Sequence, residues 1–339
     1  MENVAGVAPR SEGSLLRNWR EVLLTGGLRE GRRKDAVSRW LILTRASVLP
    51  MTLTSGLIGG LLAIGHPTAN WAYFAVSLLG LLVAHACNNL MNDYFDYRSG
   101  VDTSASPRAL YAPHPIIAGW VTEGGLVRAI LLLNAVGLAI LLVLWQLRGW
   151  PVVGFALAGF SVSLFYVAPP IRLKHRGLGE PGVFIVWGPL MIGGTYYVTT
   201  GTLPGWIWWA SLPYAILVTT VLIGKHVDKL DHDRKRGVRT LPVILGESAT
   251  LRLNQALMIS FYVVVVALVA AGTFGPWSLL VFGSVPVLLR MLKLYSTPKP
   301  TEPPPGYPIW PLWYVASAFL LTRRAGALLV LGILLDRLL

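Results

Sequence analysis

"NNLMNDYFDYRSGVDT", residues 88 to 103, follows directly on "YFAVSLLGLLVAHAC", residues 73 to 87, an apolar run suited to the middle of a lipid bilayer. Three asparagines and three aspartates fall within fifteen positions, from Asn88 to Asp102. A hydrophobic helix that ends in so many amides and carboxylates calls for a ligand that is itself polar. On a helix continued through this stretch, Asn89, Asn92, Asp93 and Asp96 are spaced i, i+3, i+4, i+7, so their oxygens project from one face. Hard oxygen donors on one face suit Mg²⁺, which keeps some of its waters and prefers a couple of carboxylates together with substrate phosphate oxygens.

The rest of the chain places this stretch in a membrane protein. Of 339 residues, 54% are hydrophobic and 13% charged, the mean hydropathy is +0.59, and apolar stretches of spanning length recur throughout. The net charge of +13 does not indicate nucleic acid, because the Lys and Arg residues sit mostly in the connections between apolar runs, where anionic lipid and the positive-inside rule account for them. The single cysteine, Cys87, lies at the end of an apolar run and allows no intrachain disulfide. Residues 1 to 38 are polar, contain many arginines and lack the apolar core of a cleavable signal. They are expected to form a loose or interfacial cytoplasmic segment ahead of one membrane domain, residues 39 to 339.

The expected helices run approximately from Trp40 to Ile64, Trp71 to Leu90, Leu126 to Gln146, Val152 to Val167, Val183 to Thr199, Trp206 to Gly224, Leu253 to Ala271 and Trp277 to Leu294. After the proline-rich "STPKPTEPPPGYP", Arg323 and Arg324 interrupt the last apolar segment, and charge is costly at bilayer depth. Ile309 to Leu321 therefore reads as an interfacial or re-entrant piece and Ala325 to Leu339 as a short final span, for about nine spans in an all-α polytopic fold. With the N-terminus in the cytoplasm, the outward connections carry one basic residue, Arg148. All the inward ones, residues 93 to 125, 168 to 182, 225 to 252 and 290 to 308, are basic.

Six of the eight aspartates fall in two clusters: Asp93, Asp96 and Asp102 after the second span, and Asp228, Asp231 and Asp233 after the sixth. The topology puts both at cytoplasmic helix ends. Asp and Asn also cap helices and solvate loops, so one cluster alone is ambiguous. Two on the same membrane face, in a chain with so few acids, point instead to a cage for a diphosphate. Arg108, Arg172, Lys174, Lys225, Arg234 and Arg239 lie at the same level as further phosphate partners.

Here the sequence resembles a known family. "NDYFDYRSGVD" looks like the first aspartate motif of the UbiA superfamily of intramembrane prenyltransferases, "HPIIAGWVTEGGL" like the Pro-x-x-x-Gly stretch that follows it, and "DRKRGVRTLPVILGE", residues 233 to 247, like the second motif and its tail. Residues 169 to 201 resemble the branch that includes the 1,4-dihydroxy-2-naphthoate prenyltransferases of menaquinone synthesis. The likeness covers about residues 40 to 295 in matching order. It implies nine spans around a central cavity, where Mg²⁺ and a polyprenyl diphosphate are held while an aromatic acceptor is prenylated. It also implies a place in the cell (inner) membrane.

By that resemblance Asn92 and Asp96 match the Asn-x-x-x-Asp ligands, with Asp93 as an extra acid and Asp102 downstream. Asp233 matches the last aspartate of the second motif, with Asp228 and Asp231 beside it as further metal ligands; Lys174 and Arg234 would meet the diphosphate. Asp96, Asp233 and Lys174 are the expected catalytic groups. The second motif departs from the naphthoate branch, which usually reads Asn-Asn-x-Arg-Asp-x-Glu-x-Asp-Arg. Here "KHVDKLDHDR" puts Lys225 and His226 in place of the asparagine pair and Lys229 where an acid is expected. Asp228 then lies five positions before Asp233, about 140° away round an ideal helix.

Several other polar residues have simpler readings. His226 could serve as a base toward the acceptor, although a histidine at a helix end more often bonds a terminal carbonyl. His85 reads as a packed polar side chain between helices. Tyr166, Tyr196 and Tyr197 could line the prenyl path or simply pack. Two rivals lack their signatures. An ion-coupled transporter would place its acids near midspan, and a CDP-alcohol phosphotransferase needs an Asp-Gly-x-x-Ala-Arg string that does not occur.

Overall fold

A computed structural model of the chain describes residues 14–28, 35–104, 106, 114–307 and 309–339. Among them there is no β-strand beyond one isolated bridge between Arg176 and Arg239. A short helix, α1 (Leu15–Thr25), precedes a bent first span made of α2 (Ala36–Leu43) and α3 (Ala46–Leu61), which meet at 58°. The next spans are α4 (Trp71–Arg98), α5 (Glu123–Arg148), α6 (Trp150–Val167), α7 (Gly179–Thr200) and α8 (Trp206–Asp228). Two short helices, α9 (Leu230–Lys235) and α10 (Leu241–Leu245), lead into α11 (Glu247–Ala270), α12 (Pro276–Tyr295) and α13 (Tyr314–Leu338). Among the described residues, eight helices are long and apolar enough to cross a membrane, and counting the bent pair gives nine.

Burial sorts these helices into a centre and a rim. In α8, 83% of the apolar window is buried, against 6% in α5 and 11% in α6, so α8 is the axis and α5 and α6 present their leucines to lipid. Close backbone approach holds the centre together. A Cβ on Gly59 would stand 2.6 Å from the Ile192 carbonyl oxygen, and one on Gly224 would stand 2.9 Å from the Tyr314–Val315 backbone. α7 contains Pro189 inside a π-helical turn, Val186–Gly193, where the wider turn tolerates the missing N–H. Its Trp187 carbonyl accepts from Ser55 Oγ of α3 at 2.7 Å.

The C-terminal end corrects the sequence-based expectation of two separate pieces. Tyr314–Leu338 is one helix, with Arg323 in its middle. The guanidinium donates to the Ser47 carbonyl at 3.0 Å and lies over the Phe319 ring at 4.3 Å, so its charge is met inside the protein rather than in lipid. α4 also runs longer than the expected Trp71 to Leu90. It continues to Arg98, carrying the first aspartate cluster on an unbroken helix.

Candidate active site

The extension of α4 places Asn89, Asn92, Asp93 and Asp96 on one buried stripe, each no more than 9% exposed. Asn89 Nδ2 donates to the Thr44 carbonyl at 2.9 Å, and Asp93 pairs with Arg45, both partners lying at the bend of the first span. Asp96 accepts both hydrogen bonds from Lys174 Nζ, at 2.9 and 3.1 Å. Lys174 lies on the loop between α6 and α7 and is itself buried. Burial works against its ammonium, but the charges of Asp96 and Asp233 outweigh that and hold its pKa above the ordinary lysine value.

The second cluster is divided. α8 ends at Asp228, Lys229 breaks the helix with φ −107° and ψ 7°, and α9 starts at Leu230. Asp233 is fully buried, with Lys229 Nζ at 3.9 Å, and its felt charge on Lys174 ties the two clusters into one array. Asp228 is engaged elsewhere. Its carboxylate accepts from the backbone N–H groups of Trp313, Tyr314 and Val315 at 2.9 to 3.1 Å and from Lys299 Nζ at 3.1 Å, closing the N-terminus of α13. Asp231 is exposed, with 85% of its side chain open, and faces an exposed Arg234 at 3.7 Å. The structure thus unites Asn92, Asp96, Asp233 and Lys174, and does not bring Asp228, Asp231 or Arg234 to them.

Lys225 is half-buried and lines a cavity of about 730 Å³; Arg172 is half-buried on its loop at φ 49°. Arg108 lies outside the described residues. The cavity is polar at the end formed by Arg45, Asn88, Asn92 and Lys225 and apolar along residues such as Leu141 and Phe155. Of the three singled-out tyrosines only Tyr166 lines it. Tyr197 donates to the Arg148 carbonyl at 2.7 Å and Tyr196 packs edge-on to Trp206. His85 is buried, bonded to Thr52 at 2.7 Å and edge-on to Trp187, as a packed interhelical side chain should be.

Two buried groups escaped the sequence reading. Glu180 meets His226 Nδ1 at 2.7 Å, while His226 Nε2 stands 3.4 Å from the Tyr166 hydroxyl. Lys229, noted only as the replacement of an expected acid, is a buried cation between the clusters. The first could not be found by spacing, because 46 positions separate Glu180 from His226.

Buried oxygens without partners test whether a divalent ion fits here. Asn92 Oδ1 and Asp233 Oδ1 are both buried and accept no hydrogen bond, although the Lys229 ammonium stands 3.9 Å from the latter. Hard oxygens left without a hydrogen bond, one from each motif, are of the donor type that Mg²⁺ takes.

The chain resembles proteins of known type over most of its length. It is 27% identical over 256 residues to a 1,4-dihydroxy-2-naphthoate octaprenyltransferase of Bacillus subtilis, covering 74% of this chain and 80% of that one. It is 27% identical over 263 residues to the Escherichia coli protein of the same name, covering 75% and 83%. Among solved structures, a UbiA homologue from Aeropyrum pernix superposes with a TM-score of 0.65 at 17% identity, over 85% of this chain and 97% of that one. One from Archaeoglobus fulgidus, bound to GPP and Mg²⁺, gives 0.57 at 15% identity over 86% and 99%. The family model for UbiA prenyltransferases matches residues 52–315, so the chain is a prenyltransferase and belongs to the UbiA prenyltransferase family.

Proposed function

We propose that this enzyme transfers a polyprenyl group from its diphosphate to an aromatic acceptor of the 1,4-dihydroxy-2-naphthoate class, as in menaquinone synthesis. The observation that carries the reading is the buried array of Asp96, Lys174, Asp233 and Lys229 adjoining an apolar cavity of about 730 Å³ with a polar end. A substrate that is half lipid and half polyanion needs both parts. The relatives named above as octaprenyltransferases support the acceptor class.

Asn92, Asp96 and Asp233 would hold Mg²⁺, which neutralises negative charge on the departing diphosphate. Lys174, Lys225 and the loop arginines, Arg172 among them, bind the outer phosphate oxygens, while the cavity walls orient the chain and exclude water. The C–O bond to diphosphate breaks, the allylic cation is attacked by an electron-rich ring carbon, and that carbon sheds the substituent it carried. Asp93 is held by Arg45 at the bend of the first span. We assign Asp228 a structural role. The membrane domain, residues 39–339, sits in the cell (inner) membrane with both motifs facing the cytoplasm, a reading that the distribution of basic loops supports.

The test is to incubate the purified protein with labelled polyprenyl diphosphates of several lengths and a panel of aromatic acceptors, with Mg²⁺ or with EDTA. Prenylated naphthoate product that vanishes in EDTA is expected. Full activity in metal-analysed, EDTA-treated protein, or turnover of every ring except the naphthoates, would overturn the reading.

A further inference from the structure

The loop after α4 returns to that helix at a buried cluster that the diphosphate site does not use. One ring nitrogen of His114 and one carboxylate oxygen each of Asp93 and Asp102 lie within 4.8 Å of one another, and all three residues are buried. His114 is 1% exposed and Asp102 4%. His114 Nε2 lies 3.2 Å from the main-chain carbonyl oxygen of Asp93, and since a carbonyl can only accept, Nε2 carries the proton. That leaves Nδ1 as a lone-pair donor. Nδ1 is buried without a partner, and so is Asp102 Oδ1.

Both are buried acceptors that no described residue supplies with a proton, a costly arrangement that a cation would relieve. The surroundings match what a metal-bound imidazole has around it. The second ring nitrogen is fixed by a backbone carbonyl, which sets the tautomer, and the Tyr97 ring stacks on the imidazole with centroids 5.9 Å apart. A surface depression lined by Tyr97, Thr103 and Asp102 itself gives an ion a route in. Ligands about 2.1 Å from a tetrahedral ion stand roughly 3.4 Å apart, a contraction that rotation of the carboxylates supplies.

We propose that Asp93, Asp102 and His114 bind a divalent transition-metal ion of the Zn²⁺ type, separate from the magnesium–diphosphate cage, which clips the loop after α4 onto the helix end bearing Asn92 and Asp96. An imidazole with two carboxylates favours such an ion over Mg²⁺, whose preferred partners are oxygens alone. Asp93 serves as the hinge of the arrangement, since it meets Arg45 on one side and this cluster on the other. The ion would brace the first motif without touching substrate.

The full-length protein, stripped with EDTA, is titrated with Zn²⁺ and with Co²⁺ in the absence of any diphosphate, and bound metal is counted by mass spectrometry after desalting. One ion per chain is expected, with visible Co²⁺ bands of nitrogen–oxygen coordination. Retention should fall about tenfold or more in His114→Phe, which keeps a ring to stack on Tyr97, and in Asp102→Asn. Asp96→Ala, in the diphosphate cage, should retain the ion. Gel filtration and thermal unfolding identify any variant that has failed to fold, and Asp102→Asn, which conserves shape, serves where His114→Phe does. No ion above background, undiminished retention in folded His114→Phe and Asp102→Asn, or loss in folded Asp96→Ala would each overturn the proposal.

Discussion

The two clusters carry three aspartates each in the sequence and receive opposite treatment in the fold. At the end of α4 the helix stays regular for 28 residues, and all four polar positions of one stripe arrive buried and facing inward. At the end of α8 the helix breaks at Lys229, and the three aspartates part company. One caps a distant helix, one points to water, and one, Asp233, reaches the array. A cluster of acids is therefore not a unit of function: the local backbone decides which members can act together.

The sharpest way to break this contrast is by substitution. Asp96→Ala and Asp233→Ala should each cut turnover by roughly 10³-fold at matched membrane abundance, since each removes charge stabilisation at the departing diphosphate. Asp231→Ala should stay within about twofold, the range of an exposed pair that contributes little. Equal losses at Asp231 and Asp233 would erase the distinction. Asparagine at 96 and 233 is the control that preserves shape.

Asp228 should fail differently. Asp228→Ala strips three backbone N–H groups and Lys299 of their acceptor, a cost of about 3 kcal/mol in stability. Unfolding in denaturant reads that loss directly, while the activity of the still-folded fraction should be near normal. A stable but inactive variant would move Asp228 back among the metal ligands. Glu180→Gln should cost less, about 2 kcal/mol, by weakening the buried contact to His226. Thermal unfolding compared with His226→Gln and the double variant separates that pair from its neighbours.

The comparison also requires both clusters on one membrane face. In a Cys87→Ser background, single cysteines at Ser104 and Ser248 should react with an impermeant maleimide from the cytoplasmic side only, and one at Thr273 from the outside only. Labelling of 104 and 248 from opposite sides would put about 30 Å between the motifs, too far for one diphosphate.

The smallest effect concerns a cap whose partners are local. Asp35 caps α2: burial pushes its carboxyl up, but the Ser38 hydroxyl and N–H and the Trp19 indole donate to it and prevail, lowering its pKa to about 2. A depressed carboxylate contributes stability above the ordinary pKa of 3.8 and loses it as pH falls from there towards 2. Asp35→Asn should cost about 1 kcal/mol or less at neutral pH and remove that part of the acid dependence. An unchanged acid limb in the variant would count against the cap.

The sequence by itself determined the membrane class, a count of about nine spans, and the face of α4 that carries Asn89, Asn92, Asp93 and Asp96, because apolar run length and a period of 3.6 are local quantities. It also marked the second motif as irregular, through the 140° misfit between Asp228 and Asp233 on an ideal helix. Only the tertiary structure decided the rest. The N-terminus of α13, 85 residues away, claims Asp228; Lys174 closes on Asp96 across 78 positions; and Ser47 receives Arg323 across 276, turning an expected break into a continuous helix. Each outcome depends on which unsatisfied donor or acceptor lies nearest a buried charge in space. Where burial makes an unpaired charge cost several kcal/mol, that nearest partner overrides any preference written in the neighbouring sequence.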